Sequence, residues 1–439
     1  MKRMSWTLPR EFRFGASSAA HQVEGAATED GKGPSIWDTF SAQPGRVVDG
    51  STAAVACDHY HRHREDVALM AELGLDGYRF SVSWPRVQPN GRGPVNPAGL
   101  DFYERLVDDL LAHGIAPMLT LYHWDLPQAL QDDGGWLVRD TAHRFADYTA
   151  LVAERLADRI AHWVPVNEPN MVTLLGHALG THAPGQQLIF GALPVAHHLN
   201  LAHGLAVAAL RAHGAAAVGT ANNHAPIRPE TDEEPDLAAA DLMDTLWNRI
   251  FAEPMLEGRY PDGFGELMGS ATLADDLVTI AAPLDFYGVN HYNPMGVRRA
   301  PADSDLPFEP FDLTGYSTSE FGWPVVPDGL RETLVTLKRR HPRLPPVLVT
   351  ENGTSWSAID DQFRIDYLDQ HLAAVADAIA DGVDVRGYYT WSLTDNWEWA
   401  EGFTQRFGLV HVDYDTQART RRRSFGWYAD TIAAHKASR

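Results

Sequence analysis

Residues 98–123 have the sequence AGLDFYERLVDDLLAHGIAPMLTLYH, and their pattern indicates the fold. The first half carries apolar side chains at the i, i+3, i+4 spacing of one helix face; they are Leu100, Tyr103, Leu106, Val107, Leu110 and Leu111. Gly114 follows, and glycine ends a helix readily because it tolerates the left-handed conformation. Residues 116–123 are then a short, largely apolar run. The stretch predicts a helix, a glycine and a buried strand in succession.

The same unit recurs along the chain. Gly74, Gly214 and Gly382 also precede apolar runs, and residues 363–381 have a second clear helical spacing. Apolar runs of strand length occur at 12–15, 77–83, 116–123, 163–168, 217–224, 285–292, 347–351 and 385–393. Most lack strict alternation, which is typical of parallel strands buried on both faces. Eight strand–helix units favour an α/β fold closed into a (β/α)8 barrel, a TIM barrel, over an open doubly wound sheet. No glycine-rich dinucleotide fingerprint follows an early strand, which weakens the open-sheet alternative.

The sequence contains no low-complexity linker and no charge block that would divide it. Residues 225–236 and 296–326 are rich in Pro, Asp and Glu, and we interpret them as long loops between strands. Barrels with such insertions exceed about 400 residues. We therefore expect residues 1–439 to form a single barrel domain with long βα loops.

Composition disfavours several classes of partner. The formal net charge of −22 disfavours nucleic acid, which requires clustered Lys and Arg, and also anionic membranes. No run of about 18 apolar residues is present to span a bilayer, and residues 1–6 lack the apolar core of a signal peptide. Cys57 is the one cysteine, so no intrachain disulfide forms, which fits a reducing compartment. We expect a cytoplasmic protein and leave its oligomeric state open.

Polar and aromatic residues collect at the carboxyl ends of the predicted strands, where barrel enzymes place their chemistry. They include two glutamates, Glu168 at the end of the fourth apolar run and Glu351 at the end of the seventh. Glycoside hydrolysis requires two carboxyl groups. One protonates the leaving oxygen, and the other attacks the anomeric carbon or activates water. For either glutamate alone, a salt bridge or a helix cap is an equally good interpretation.

Six segments, in order along the chain, resemble family 1 glycoside hydrolases, the β-glucosidase and β-galactosidase family. They are residues 12–25, 78–86, 121–127, 167–169, 350–353 and 395–403, within a resemblance that extends from about Phe12 to Tyr428. The resemblance implies a retaining β-glucosidase that hydrolyses terminal β-D-glucosyl residues of β-glucosides and short oligosaccharides. We expect no cofactor and no metal.

The resemblance implies separate roles for the two glutamates. Glu351 is in the position of the nucleophile and would form a covalent glycosyl-enzyme. Glu168 would act first as acid and then as base, with a pKa that is raised while Glu351 is charged. Retention implies that their carboxyl groups lie about 5–5.5 Å apart. Arg79, Tyr292 and Asn290 are similar to groups that support the nucleophile and the transition state.

The remaining implied residues contact the sugar. Asn167 resembles the partner of the 2-hydroxyl, a contact that strengthens in the transition state. The substrate-binding set is Gln22, His123, Trp124, Trp391, Glu398, Trp399, Phe407 and Trp323. Within it, Trp391 is similar to the platform beneath the sugar, Glu398 to the acceptor for the 4- and 6-hydroxyls, and Trp323 to a wall of the aglycone side.

Two branches of the family are disfavoured, while other activities stay open. Glu398 would repel a phosphate and Gln405 is uncharged, which argues against a 6-phospho-glycosidase, and Glu168 argues against a myrosinase. β-Galactosidase, β-fucosidase and transglycosidase activities remain alternatives with the same site. The reason is that a site that hydrogen bonds the sugar hydroxyls discriminates more strongly against a sugar that lacks a hydroxyl than against an epimer of the same sugar. A non-catalytic sugar-binding protein is a remote alternative, which the presence of both carboxyl groups disfavours.

His59, His61 and His63 resemble a metal-binding cluster. They also begin a predicted helix that runs to Leu73, and a spacing of two places them on different helix faces. We expect solvated or packing roles for these histidines and a packing role for Cys57. The resemblance further implies a cis peptide bond between Trp391 and Ser392.

Overall fold

The structure is a computed structural model that describes residues 6–438. Eight parallel strands form its centre: β1 (Arg13–Ser17), β2 (Gly77–Ser81), β3 (Ala116–Tyr122), β4 (His162–Val166), β5 (Ala221–Asn223), β6 (Tyr287–Asn290), β7 (Val347–Asn352) and β8 (Val385–Trp391). Their order is β4-β3-β2-β1-β8-β7-β6-β5. Parallel bridges from Trp163 to Val218 and from Asn167 to Ala221 connect the two ends. All eight predicted strands are therefore confirmed, and so is the (β/α)8 barrel.

Helices surround this barrel. Those of eight or more residues are His59–Leu73, Pro97–Ala112, Asp140–Leu156, Leu193–Ala212, Glu234–Asp244, Ile250–Glu257, Leu273–Ile280, Pro327–Arg340, Gln362–Ala380 and Arg423–Ala437. Shorter α-helices are Ala20–Val23, Ile36–Ser41, Trp84–Val87, Gln128–Asp132 and Pro169–Met171. Two segments are π-helical, Val172–Ala178 and Thr245–Arg249. Single 3-10 turns occur at Gly135–Leu137, Ile189–Ala192, Glu266–Met268 and Trp399–Glu401. The predicted terminating glycines, Gly74, Gly114, Gly214 and Gly382, all have positive φ, as expected.

The interior of the barrel is filled by buried side chains from several strands. One cluster joins Met118 of β3, Val164 of β4, Leu348 of β7 and Tyr389 of β8. Every residue of β2 and β7 is buried, which explains why these strands lack alternation in the sequence. The polar residues at the carboxyl ends of the strands therefore lie next to an apolar barrel interior.

The interpretation of residues 225–236 and 296–326 as loops is wrong in part. Ile227–Pro229, Met295–Arg299 and Phe308–Phe311 form a separate three-stranded sheet, and the helix Glu234–Asp244 begins inside the first segment. Within it, Arg298 of the central strand forms ion pairs with Glu309 of the neighbouring strand at 2.6 Å and with Glu230, next to Ile227–Pro229, at 3.2 Å. Ile227–Pro229 pairs with Met295–Arg299, which is distant in the chain, whereas Met295–Arg299 and Phe308–Phe311 are consecutive antiparallel strands. The Pro-, Asp- and Glu-rich composition of these segments masks both pairings. A further antiparallel pair, Val410–Val412 with Arg419–Arg421, lies beyond β8.

The three histidines begin a helix, as predicted, but each has its own acidic partner. His59 lies 2.7 Å from Asp66, His61 lies 2.6 Å from Asp58, and His63 lies 3.2 Å from Asp109. His59 and His63 are buried, so only His61 has the solvated role. Within residues 6–438, no group of three or more His, Cys, Asp or Glu side chains is arranged to hold a metal ion.

Cys57 is buried, and its Sγ lies 2.8 Å from the carbonyl oxygen of Asp395, in accord with a packing role. Burial raises the pKa of this thiol. Among the helices of the described chain, none combines the length and apolarity needed to cross a bilayer. Residues 1–5, part of the segment on which the expectation of no signal peptide depends, lie outside the described range.

Glycine permits a close approach between β6 and the segment that leads into β5. A Cβ atom at Gly288 would lie 2.0 Å from the carbonyl oxygen of Thr220. Gly288→Ala therefore has to push the two segments apart, and we expect it to lower the free energy of unfolding by about 1–3 kcal/mol, as overpacking does.

Gly426→Ala is the matched control. Gly426 is exposed in the helix Arg423–Ala437, and a Cβ atom added there would meet open space to a distance of 4 Å. Here alanine should raise the free energy of unfolding by about 0.5–1 kcal/mol. Urea denaturation measures both values, and equal shifts for the two variants would contradict the steric account of Gly288.

Candidate active site

The two predicted glutamates face one cavity at the carboxyl ends of the strands. Glu168 directly follows β4 and its flanking Asn167, and Glu351 lies in β7 next to a register irregularity that follows Val349. Such irregularities redirect side chains near active sites. The cavity has a volume of about 410 Å³. Its lining also includes Tyr292 and seven of the eight predicted sugar-binding residues, all but Gln22: His123, Trp124, Trp323, Trp391, Glu398, Trp399 and Phe407.

Glu351 is held by two donors, one from β2 and one from the segment that follows β6. Arg79 of β2 is fully buried, and its guanidinium donates to Oε1 of Glu351. The Tyr292 hydroxyl donates to Oε2 at 2.7 Å. Both carboxylate oxygens are thereby oriented, and the charge of Arg79 compensates that of Glu351.

Amide side chains connect this group to the second glutamate. Asn290 donates to Oε1 of Glu168 at 2.6 Å and to Oδ1 of Asn167 at 3.1 Å. The same Oδ1 accepts from the Arg79 guanidinium at 2.6 Å. A continuous hydrogen-bonded path therefore joins Glu168 to Glu351 through Asn290, Asn167 and Arg79.

The two glutamates have unlike surroundings. Burial, together with the nearby charge of Glu351, raises the pKa of Glu168, and the amides of Asn290 and Asn223 offset only part of this. Glu168 therefore keeps its proton at a higher pH than an ordinary glutamate. Burial and the Glu351 charge also raise the pKa of Glu398 to about 8.

Gln22 and His123 each leave a buried polar atom available. The Gln22 amide nitrogen donates to Asn396, to the Trp397 carbonyl and to Glu398 at 2.9, 3.0 and 3.2 Å. Its Oε1 has no hydrogen-bond partner among the described residues.

Burial, followed by the charge of Arg79, holds the pKa of His123 well below its usual value, so the ring is neutral. Oδ1 of Asn167 already accepts from Arg79 and Asn290, so its amide nitrogen donates to Nε2 of His123 at 3.0 Å. The proton of the ring is then on Nδ1, which has no partner within residues 6–438. Hydroxyl groups suit these two atoms, because a hydroxyl can donate to the Gln22 oxygen or accept from the His123 ring nitrogen.

Aromatic rings form much of the cavity wall. His123 is stacked with Trp391 at 6.0 Å and with Trp399 at 5.9 Å between ring centroids. Trp323 is stacked with Phe321 at 4.1 Å and packs against Phe407 at 6.1 Å. The Trp391–Ser392 peptide bond is cis, as the resemblance implies. Flat apolar faces beside hydroxyl-binding groups suit a sugar ring.

Three predicted site residues have left-handed backbone conformations, which are unusual for residues other than glycine. The φ angles are +76° at Trp124, +45° at Glu168 and +52° at Trp399. Such strained conformations concentrate at functional sites, where the surrounding structure maintains them. Three of the nine non-glycine residues with positive φ in the described chain therefore line this cavity.

Several lining residues are missing from the sequence-based prediction. Asn223 donates to Glu168 at 3.2 Å and accepts from the Trp247 indole at 3.2 Å. Asn223 ends β5, so its place at a strand end is a signal that was available in the sequence. Trp247 and His182 come from segments outside the strands. The burial pattern of the barrel carries no information about which of those side chains reach the cavity.

Comparison with known proteins agrees with this geometry. The model of the family described as glycosyl hydrolase family 1 matches residues 4–437. The chain is 43% identical to beta-glucosidase A of Acetivibrio thermocellus, with 97% of this chain and 98% of that protein covered. It is 43% identical to the bifunctional beta-D-glucosidase/beta-D-fucosidase of Bifidobacterium breve, with 99% and 100% covered. The crystal structure of a psychrophilic beta-glucosidase from Micrococcus antarcticus superimposes with a TM-score of 0.94 at 46% identity, covering 99% of each chain. The chain therefore belongs to glycosyl hydrolase family 1.

Proposed function

We propose that this protein is a β-glucosidase that uses Glu351 as nucleophile and Glu168 as acid and base. As a member of glycosyl hydrolase family 1, the chain is a retaining O-glycosyl hydrolase. The observation that supports the residue roles is the contrast between the two carboxyl groups. Arg79 and Tyr292 orient the Glu351 carboxylate, whereas burial and the Glu351 charge favour a protonated Glu168.

In the first step, the Glu351 carboxylate attacks the anomeric carbon and the glycosidic bond breaks. Glu168 gives its proton to the departing oxygen, so the aglycone leaves as a neutral alcohol. Glu351 is now an ester and has lost its charge. The main charge that raised the pKa of Glu168 is thereby removed, and the Glu168 carboxylate is suited to act as a base.

In the second step, water attacks the anomeric carbon and Glu168 takes one of its protons. The ester bond to Glu351 breaks, and β-configured sugar is released with both glutamates in their starting states. Asn167 is hydrogen bonded to Arg79, Asn290 and His123. It is therefore in a suitable place to contact the 2-hydroxyl throughout the reaction.

Glucose is the proposed sugar because the relatives at 43–46% identity carry the name beta-glucosidase. β-Fucosidase activity is a second candidate, since the Bifidobacterium breve relative is named for both. Nitrophenyl β-glucoside, β-galactoside and β-fucoside, together with cellobiose, separate these substrates by kcat/KM. A higher value for the fucoside than for the glucoside would reverse the assignment.

We also propose a cellular compartment, a domain extent and a natural substrate for the enzyme. We place it in the cytoplasm as one barrel domain over residues 1–439, with cellobiose among its substrates. The single Cys57 is compatible with a reducing compartment, and the net charge of −22 disfavours a nucleic-acid partner.

Transglycosylation competes with hydrolysis wherever a sugar acceptor replaces water, and product analysis at high acceptor concentration measures its share.

Removing the two glutamates should have different consequences. Glu351→Ala should lower kcat on every β-glucoside by more than about 10⁴-fold, because no covalent intermediate forms. Glu168→Ala should lower kcat/KM on cellobiose by about 10²–10⁴-fold. It should have much less effect on dinitrophenyl β-glucoside, whose leaving group departs without a proton.

Glu154→Ala serves as the control, because Glu154 is exposed on the helix Asp140–Leu156 and should leave both substrates unaffected. Undiminished turnover of an aryl β-glucoside by Glu351→Ala would refute the nucleophile assignment. An equal loss on cellobiose and on the dinitrophenyl glucoside in Glu168→Ala would refute the acid assignment.

The alkaline limb of the pH profile should report Glu168. The first step needs Glu168 protonated, so kcat/KM falls as the pH rises through its raised pKa. Asn223 donates to Glu168 and stabilises the ionised form. Asn223→Ala should therefore move the alkaline limb upward by about 0.3–1 pH unit, the scale of one hydrogen bond to a charged group.

Glu398 provides the control for this measurement, because its pKa is also raised. If Glu168 sets the limb, Glu398→Gln lowers kcat/KM but still has an alkaline limb. Loss of the limb in Glu398→Gln, or a downward shift in Asn223→Ala, would contradict the assignment.

A further inference from the structure

A second cavity lies among the helices that surround the barrel and takes no part in the mechanism described above. Its volume is about 260 Å³, just below the range of about 300–1,000 Å³ that is usual for small-molecule pockets. Its lining residues come from the helix Pro327–Arg340, from the helix Glu234–Asp244 with the π-helical segment Thr245–Arg249, and from residues 224–227, which follow β5. The cavity therefore has the size of a site for one small molecule.

A wall of consecutive residues separates the second cavity from the active-site cavity. Asn223 and Trp247 line the active-site cavity, whereas the next residues in the chain, His224 and Asn248, line the second cavity. Hydrogen bonds hold both pairs, because the Trp247 indole donates to Asn223 at 3.2 Å and His224 Nδ1 lies 3.0 Å from Oδ1 of Asn248. Of the lining residues, only Ala225 is common to both cavities in the described chain. A ligand in the second cavity therefore leaves the active-site cavity free.

The charged side chains that line the second cavity balance one another. Three are carboxylates and three are guanidinium groups: Asp241, Asp244 and Glu332, and Arg249, Arg339 and Arg340. Their formal charges cancel, although the whole chain has a formal net charge of −22. Such a lining favours neither a cation nor an anion. A matching ligand instead needs both hydrogen-bond donors and hydrogen-bond acceptors.

Some of these groups are fixed by each other, and others are available. Arg340 forms an ion pair with Asp244 at 2.8 Å, and Asp244 also accepts from Asn248 at 2.8 Å. Within residues 6–438, the side chains of Arg339 and Thr336 have no hydrogen-bond or ion-pair partner. These two residues are three apart on one helix, so they are neighbours on the same helix face. Available donors therefore lie beside carboxylates that are already oriented.

We propose that the second cavity is a non-catalytic binding site for a neutral, polyhydroxylated molecule of monosaccharide size. A hydroxyl group both donates and accepts, so one ligand can donate to the carboxylates and accept from Arg339. Hydrogen bonds with an ionised partner are stronger than those between neutral groups. Pro226 and Ile227 add apolar surface for the C–H groups of such a ring. The assignment goes beyond the proposed function and does not depend on the roles of the two glutamates.

Binding is measured while the active-site cavity is occupied. Dinitrophenyl 2-deoxy-2-fluoro-β-D-glucoside should form a long-lived ester with Glu351 and leave its sugar in that cavity. The intact mass of the protein verifies one adduct per chain before and after the measurement. Saturation-transfer NMR then detects D-glucose and methyl α-D-glucopyranoside that bind elsewhere, and titration gives their Kd. We expect both probes to bind the ester.

Two variants locate this binding. Arg339→Gln should weaken it about tenfold or more, which is the scale of one hydrogen bond to a charged group. Arg343→Gln is the matched control and should keep the affinity. Arg343 is also exposed, lies outside the second cavity and has no ion pair in the described part of the chain. Both variants should form the ester at an unchanged rate, because neither arginine lines the active-site cavity.

The outcomes separate this site from the proposed function. Equal affinities in the two variants, or no binding of either sugar to the ester, overturn the second site. Inorganic phosphate that binds through Arg339 more tightly than the sugars do would indicate an anion site and also overturn it. Failure to form the ester refutes the proposed nucleophile alone. In that case the sugar affinities of Arg339→Gln and Arg343→Gln are compared on the free protein, and equal values overturn the site.

Discussion

The buried guanidinium of Arg79 is the contact on which the site depends. A cation without solvent is strongly destabilising unless it is paired and hydrogen bonded. Its partners are Glu351, Asn167 and Thr120, which come from β7, the end of β4 and β3. β3 pairs directly with β2, but β7 lies three strands away in the sheet, so Glu351 reaches Arg79 only across the interior of the curved barrel. Barrel closure and formation of the site are therefore coupled, and the charge that orients the proposed nucleophile also requires the complete fold.

From this cation the polar network extends in two directions with different electrostatic character. Toward Glu351 it provides a positive charge and a phenol donor. Toward Glu168 it provides only neutral amides, from Asn290 and Asn223. Two glutamates of identical chemistry thereby acquire different protonation preferences in one cavity. His123, neutral because of burial and the Arg79 charge, adds a fixed donor to the sugar-binding end.

The sequence predicted the parts of this arrangement that depend on local pattern. Glycines after helices and apolar runs without alternation predicted all eight strands. Position at strand ends made Glu168 and Glu351 candidates, and the family resemblance added Arg79 and Asn290. The small sheet that includes Met295–Arg299 escaped prediction because its segments are rich in Pro, Asp and Glu, and because one of its two pairings joins segments distant in the chain. Trp247 escaped because it lies on a π-helical segment away from the strand ends.

The sequence by itself determined the barrel and the family, because burial periodicity and a collinear set of motifs are properties of the chain order. It also pointed to the two carboxyl groups proposed for catalysis, through their places at strand ends and within the collinear motifs. Only the tertiary structure decided which side chains surround each carboxyl group and which residues outside the strands, such as His182 and Trp247, line the cavity. The physical reason is that pKa and shape complementarity depend on distances between side chains from separate strands, which folding alone sets.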